Sequence, residues 1–104
     1  MEHKLLRHVV MFKFKDSVSK EKIETVEKAF VDLKESLPLI HSLEWGTNVS
    51  PEGINEGFTH CFLLTFTSET DRDAYLPHPA HIAFGDVLKP VIDKVMVIDY
   101  WARG

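Results

Sequence analysis

Cysteine is nearly absent: Cys61 stands alone among 104 residues. A lone thiol closes no internal disulfide, which excludes the stapled framework of a small secreted protein and fits a reducing compartment. Positive charge is short as well. A net charge of −4 leaves no basic face for a polyanion, so nucleic acid is set aside as a partner. Long hydrophobic runs are missing; no apolar stretch approaches the ~20 residues of a membrane span, and no membrane partner is expected. The opening MEHKLLRH is charged and holds no signal-peptide apolar segment, which makes the cytoplasm the expected compartment. Glycines and prolines are few and show no phosphate-cradling spacing, linker or repeat. What these absences leave is one ordinary domain over residues 1–104, long enough for a single core and too short for two.

The apolar residues that are present fall into clear periods. Residues 7–15, RHVVMFKFK, set His8, Val10, Phe12 and Phe14 against Val9, Met11, Lys13 and Lys15, the two-residue alternation of a strand. Ser19 is placed to cap a helix from 20 to about 37, where Ile23, Val26, Phe30, Leu33 and Leu37 recur at spacings of three and four and Pro38 ends the pattern. Residues 42–49 read as a second strand, followed by the turn-rich SPEGINEG. Residues 58–67 read as a third, with Phe58, His60, Phe62, Leu64 and Phe66 on one face. A short helix opens at 68–71 and stops at Pro77, another is expected from 79 to about 94, and a last strand from 95 to 101.

The order β-α-β-β-α-β, with its second helical region in two pieces, gives an α+β, ferredoxin-like fold with helices on one face of a four-stranded antiparallel sheet. The other face carries Val9, Met11, Cys61 and Leu63, too apolar to stay wet, and a second copy of the same sheet is the simple cover. A two-fold homodimer is the expectation.

Taken in order across residues 7–100, HVVMFKFKD, WGTNVS, EGFTHCFLLTF, YLPHPAHIAFGDVLKP and VMVIDY resemble the stress-responsive dimeric α/β-barrel (Dabb) family. The resemblance implies a ferredoxin-like protomer whose sheet pairs with that of its copy to form a barrel. It also implies mixed functions. Some plant members are stress-tolerance or antifungal proteins, whereas a polyketide cyclase of the family closes a linear substrate by aldol condensation, with neither metal nor organic cofactor. That cyclase's catalytic Tyr and His are similar to Tyr75 and His81, and its supporting pocket histidines resemble His8, His60 and His78. Where it has a pocket tyrosine on the first helix, this chain has Phe30, an apolar wall in place of a hydroxyl.

The stretch YLPHPAH has a chemical reading of its own. His81 falls two residues after Pro79, in the first turn of the expected helix, where the positive helix end opposes an added positive charge. A histidine kept neutral near pH 7 suits a general base. Tyr75, one helical segment earlier, offers a hydroxyl to a substrate carbonyl. Base and donor together make a minimal site for enolisation: one takes the proton alpha to the carbonyl, the other holds the developing oxyanion. His8 and His60 share strand faces with Phe12 and Phe62, a polar floor to an apolar pocket, and Asp99 on the last strand is a candidate to orient one of them. The candidate site is thus Tyr75 and His81 as the catalytic pair, with His8, Phe12, Phe30, His60, Phe62, His78 and Asp99 as binding residues.

Plainer roles compete for the same residues. A strand histidine among aromatics is commonly a hydrogen-bonded core residue, His78 is well placed as an N-cap, and the phenylalanines are core formers. No metal is assigned, because Pro79 interrupts the spacing of His78 and His81 and no cysteine joins them. No cofactor is called for. Two functions therefore stand. One is a cofactor-independent cyclase- or lyase-type enzyme using general acid–base chemistry on a carbonyl or polyketide-like substrate. The other is a non-catalytic stress-response homodimer, with or without an apolar or aromatic small-molecule ligand. They part at the pocket: the enzyme needs an open cavity faced by Tyr75 and His81, and the other packs without a void.

Overall fold

The computed structural model describes residues 4–104, so the first three residues of the charged opening stretch lie outside the described residues. Seven elements follow in chain order: β1 (Leu6–Phe14), α1 (Lys20–Ser36), β2 (Ser42–Thr47), β3 (His60–Phe66), α2 (Glu69–Tyr75), α3 (Pro79–Leu88) and β4 (Ile92–Trp101). The strands form one antiparallel sheet in the order β2-β3-β1-β4. This is the ferredoxin-like α+β arrangement that the periodicity implied.

Along β1 the residues alternate between buried and half-buried, with Leu6, His8, Val10, Phe12 and Phe14 facing the core. Ser19 caps α1 by accepting from the Lys22 backbone N–H at 3.1 Å, and the helix buries Val26, Phe30 and Leu33. An aromatic column runs through the core from the sheet edge to α3. Trp45 of β2 stacks on Phe62 of β3 at 5.1 Å, Phe62 on Phe30 of α1 at 4.2 Å, and Phe30 meets Phe84 of α3 at 4.5 Å. Offset and tilted rings at such distances add to the stabilisation that burial alone supplies.

The helix expected from 79 to about 94 ends at Leu88 instead. Pro90 is the reason: the ladder runs as far as the Lys89 N–H, which donates to the Gly85 carbonyl at 2.9 Å, and Pro90 has no N–H to continue it. Val91 then turns into the core, and the strand begins at Ile92, three residues ahead of the expected start. β4 pairs with β1 from Leu6↔Trp101 to Phe14↔Ile92, with a register slip at Lys13/Phe14. β2 and β3 are each shorter than the alternation implied: beyond the Asn48 N–H, which still donates to the Thr59 carbonyl at 2.8 Å, the chain leaves the ladder for a loop in which Gly53 and Gly57 adopt left-handed backbone at φ +74° and +82°.

The second face of the sheet carries Val9, Met11, Cys61 and Leu63, as expected, and β4 enlarges it. The register sets Ile98 beside Val9 and Met96 beside Met11, and both β4 residues are exposed. Val95 and Val97, on the helix side of β4, are also about half exposed, since α3 stops short of covering that edge.

Candidate active site

Three polar side chains from three elements meet in the gap between the sheet and the α2–α3 turn. Tyr75, the last residue of α2, is fully buried, and among the described residues its hydroxyl has no hydrogen-bond partner. Burial pushes its pKa well above that of an ordinary tyrosine. The phenol is therefore a neutral hydrogen-bond donor at any physiological pH, not a base.

His81 stands in the first turn of α3, and its ring centroid lies 4.5 Å from that of Tyr75. Its Nδ1 is 2.8 Å from the carbonyl oxygen of Leu76, the residue that caps α2. A carbonyl only accepts, so Nδ1 carries a proton and the Nε2 of the neutral ring presents a lone pair. Local sequence sets this up. Pro79 starts α3 and His78 caps it, its Nδ1 accepting from the Ala80 N–H at 3.0 Å. The turn between the helices then brings His81 back against the end of α2.

His8 approaches from β1, with its ring 6.0 Å from Tyr75. Its Nδ1 donates to Asp99 Oδ1 at 2.7 Å, across the β1–β4 register pair His8↔Asp99. The other oxygen of Asp99 accepts from Arg72 Nη1 of α2 at 2.6 Å, and Arg72 Nε donates to Asp73 at 2.8 Å. His8, like His81, thus has Nδ1 tied down and Nε2 left over.

These three groups head a cavity of about 190 Å³ whose walls are apolar, Phe12, Phe30, Phe84 and Leu88 among them, with Val95 and Val97 at its open edge. Among the described residues no lysine or arginine lines it. A void thus lies where the enzyme reading needs one. A larger depression of about 450 Å³, lined by Met11, Ile54, Phe58 and Met96 among others, lies away from Tyr75 and His81 and takes in part of the apolar second face.

The remaining candidates lie elsewhere. His60 sits towards the far end of the sheet beside Phe14, its Nε2 donating to Glu27 of α1 at 2.7 Å and its Nδ1 2.8 Å from the Thr59 hydroxyl. Both of its nitrogens are engaged, and it does not line the 190 Å³ cavity. Phe62 stands behind Phe30 in the aromatic column and does not line it either, and His78 is occupied as a cap. Among the described residues no three His, Cys, Asp or Glu side chains are grouped as a metal-ligand set. Sequence reasoning passed over Glu27 and Arg72. Each is a charged residue on a helix flank, and only the approach of that helix to the sheet gives it a histidine or a histidine's carboxylate.

Residues 6–102 match the stress responsive A/B barrel domain, Dabb. The chain is 40% identical over 95 residues to the stress-response A/B barrel domain-containing protein HS1 of Arabidopsis thaliana, covering 91% of this chain and 87% of that one. It is 34% identical over 98 residues to olivetolic acid cyclase of Cannabis sativa, covering 94% and 97%. Its backbone superposes on the hydroxynitrile lyase of Passiflora edulis with a TM-score of 0.92 at 26% identity, covering 98% and 96%. Several similar solved structures are described as dimeric ferredoxin-like proteins. Among the described residues no helix is long and apolar enough to cross a membrane.

Proposed function

The chain belongs to the stress responsive A/B barrel domain family, and on that footing we propose that it is a cofactor-independent acid–base enzyme that makes or breaks a carbon–carbon bond beside a carbonyl. The observation that carries this reading is the buried, unpartnered Tyr75 hydroxyl next to a histidine whose Nδ1 is held by a backbone carbonyl. A substrate carbonyl oxygen entering the cavity accepts from Tyr75. His81 Nε2 takes a proton from the adjacent carbon to give an enolate, or from the hydroxyl of a hydroxynitrile as cyanide departs and the carbonyl forms. One apparatus serves both directions of chemistry, which is why relatives named as a cyclase and a hydroxynitrile lyase support the same reading. The small apolar cavity favours a neutral substrate with an aromatic or branched aliphatic arm. The working form is proposed as a homodimer joined through the apolar second face of the sheet, in the cytoplasm.

Two assays test this. One follows aldehyde release from mandelonitrile; the other follows NMR loss of the alpha protons of phenylacetaldehyde in D₂O. Turnover above the buffer rate is expected in at least one. His81→Ala should lower it by about 10²–10⁴-fold and Tyr75→Phe by about 10²–10³-fold, with circular dichroism unchanged. Buffer rates in both assays, or full rates in both variants, would overturn the proposal. The second reading, a non-catalytic stress-response dimer holding an apolar ligand, draws on the 40% identity to HS1. It prevails if both assays stay at the buffer rate while a neutral aromatic ligand raises Tm.

A further inference from the structure

Arg72 touches neither Tyr75 nor His81 by any hydrogen bond, yet it closes a line of charge that ends at the cavity. We infer that Arg72 is a positioning residue: by occupying one oxygen of Asp99 it leaves the other to orient His8, with Nε2 available to the cavity, and weakens the pull of that carboxylate on a second ring proton. The inference rests on the acid–base reading of the cavity given above.

The geometry is a three-element relay. Arg72 on α2 donates to Asp99 Oδ2 at 2.6 Å, and Asp99 on β4 accepts from His8 Nδ1 on β1 at 2.7 Å. The side chains of Arg72, Asp99 and His8 are 20%, 23% and 6% exposed, so their charges are screened less than a fully exposed pair would be. A carboxylate facing a histidine alone stabilises the imidazolium, because an opposite charge within hydrogen-bond reach favours the charged form. A guanidinium on its second oxygen weakens that pull. Asp99 is already neutralised by a permanent cation, and a second positive charge on His8 would face Arg72 through the same carboxylate. The other groups facing His8 offer no competing negative charge: Tyr75 comes from α2 and is kept neutral by burial, and His81 of α3 lines the same cavity. Hydrogen bonds to Asp73 and then Asp99 raise the pKa of Arg72 further, so the cation is present throughout. A merely structural Arg72, tethering α2 to β4, has the same contacts and makes a different prediction.

The test uses the full chain with ¹⁵N-labelled histidine, reading the ring nitrogens of His8 from pH 5 to 9 alongside the rate of whichever carbonyl probe is turned over. Arg72→Met is expected to bring His8 to the imidazolium pattern at a pH about one unit higher than in the parent. Arg72→Lys should stay close to the parent, and Asp73→Asn, which breaks only the outer pair, should match it. Where the cavity is active, the acid limb of the rate profile moves up with the ring signals. Arg72→Gln, which keeps a donor without the charge, replaces Arg72→Met if the latter does not fold. A folded Arg72→Met or Arg72→Gln protein with parental His8 signals overturns the inference, as does an equal displacement in Asp73→Asn. Displaced signals without a matching change in rate leave Arg72 in its place and count instead against the acid–base reading.

Discussion

Tyr75 loses a water partner on folding and gains none in return. A buried unsatisfied hydroxyl costs about 1–3 kcal/mol, so Tyr75→Phe is expected to hold Tm or raise it while turnover falls; a variant that melts well below the parent would show instead that the hydroxyl supports the fold. Alkaline pH offers a second reading of the same group. Because burial raises the folded pKa above the ordinary value of about 10, the unfolded chain releases this proton first. The contribution to stability is full below about pH 10 and is lost as pH climbs from there towards the folded value. Urea unfolding between pH 8 and 11 should therefore show a steeper loss in the parent than in Tyr75→Phe, and parallel curves would contradict it. Tyr75 and His81 were singled out by the family resemblance, with Pro79 fixing the helix start from which His81 is counted. The sequence was mute about His60. Alternation assigns a strand residue its face but not its height along the sheet, and height is what gives His60 to Glu27 and away from the cavity.

Within α3, Gly85 is weak helix material at a position that lines the cavity. A Cβ there meets only the Lys89 Cε, at 4.0 Å, so it fits without a clash. Gly85→Ala is expected to stabilise the protein by about 0.5–1 kcal/mol and to raise KM for the bulkier of two aromatic probes more than for the smaller. Equal KM values across the pair would remove Gly85 from the cavity wall. The end of this helix was the element least well read from sequence. Val91 and Ile92 continue the apparent apolar stripe, yet one is a buried residue just past the helix and the other opens a strand. Periodicity cannot separate a continuing helix from that succession; the N–H that Pro90 lacks does.

For the whole molecule, the apolar second face of the sheet is the surface through which the proposed homodimer joins. Half of it was legible in the alternation of β1 and β3. The share from β4 was not, because both rows of VMVIDYW are largely apolar and either could face the helices. The protein is expected to sediment as a dimer at micromolar concentration, with a Tm that rises with protein concentration. Ile98→Glu, which sets a charge beside Val9 in that face, should shift it to monomer. A parent that sediments as a monomer would refute the shared face.

The bond between His8 and Asp99 joins residues 91 apart in the chain. A strand from near the start is held in the middle of the sheet by one from near the end, so the polar head of the cavity has no local precursor. Closing so long a loop must precede any reward from the contacts it allows, which places refolding in the slower range typical of non-local sheets. Until β4 arrives, β1 is itself an edge, with a row of open hydrogen-bonding groups able to recruit another chain. The cavity's polar head is then completed last: without β4, β2, β3 and β1 can pair, but His8 has no Asp99 to hold its ring.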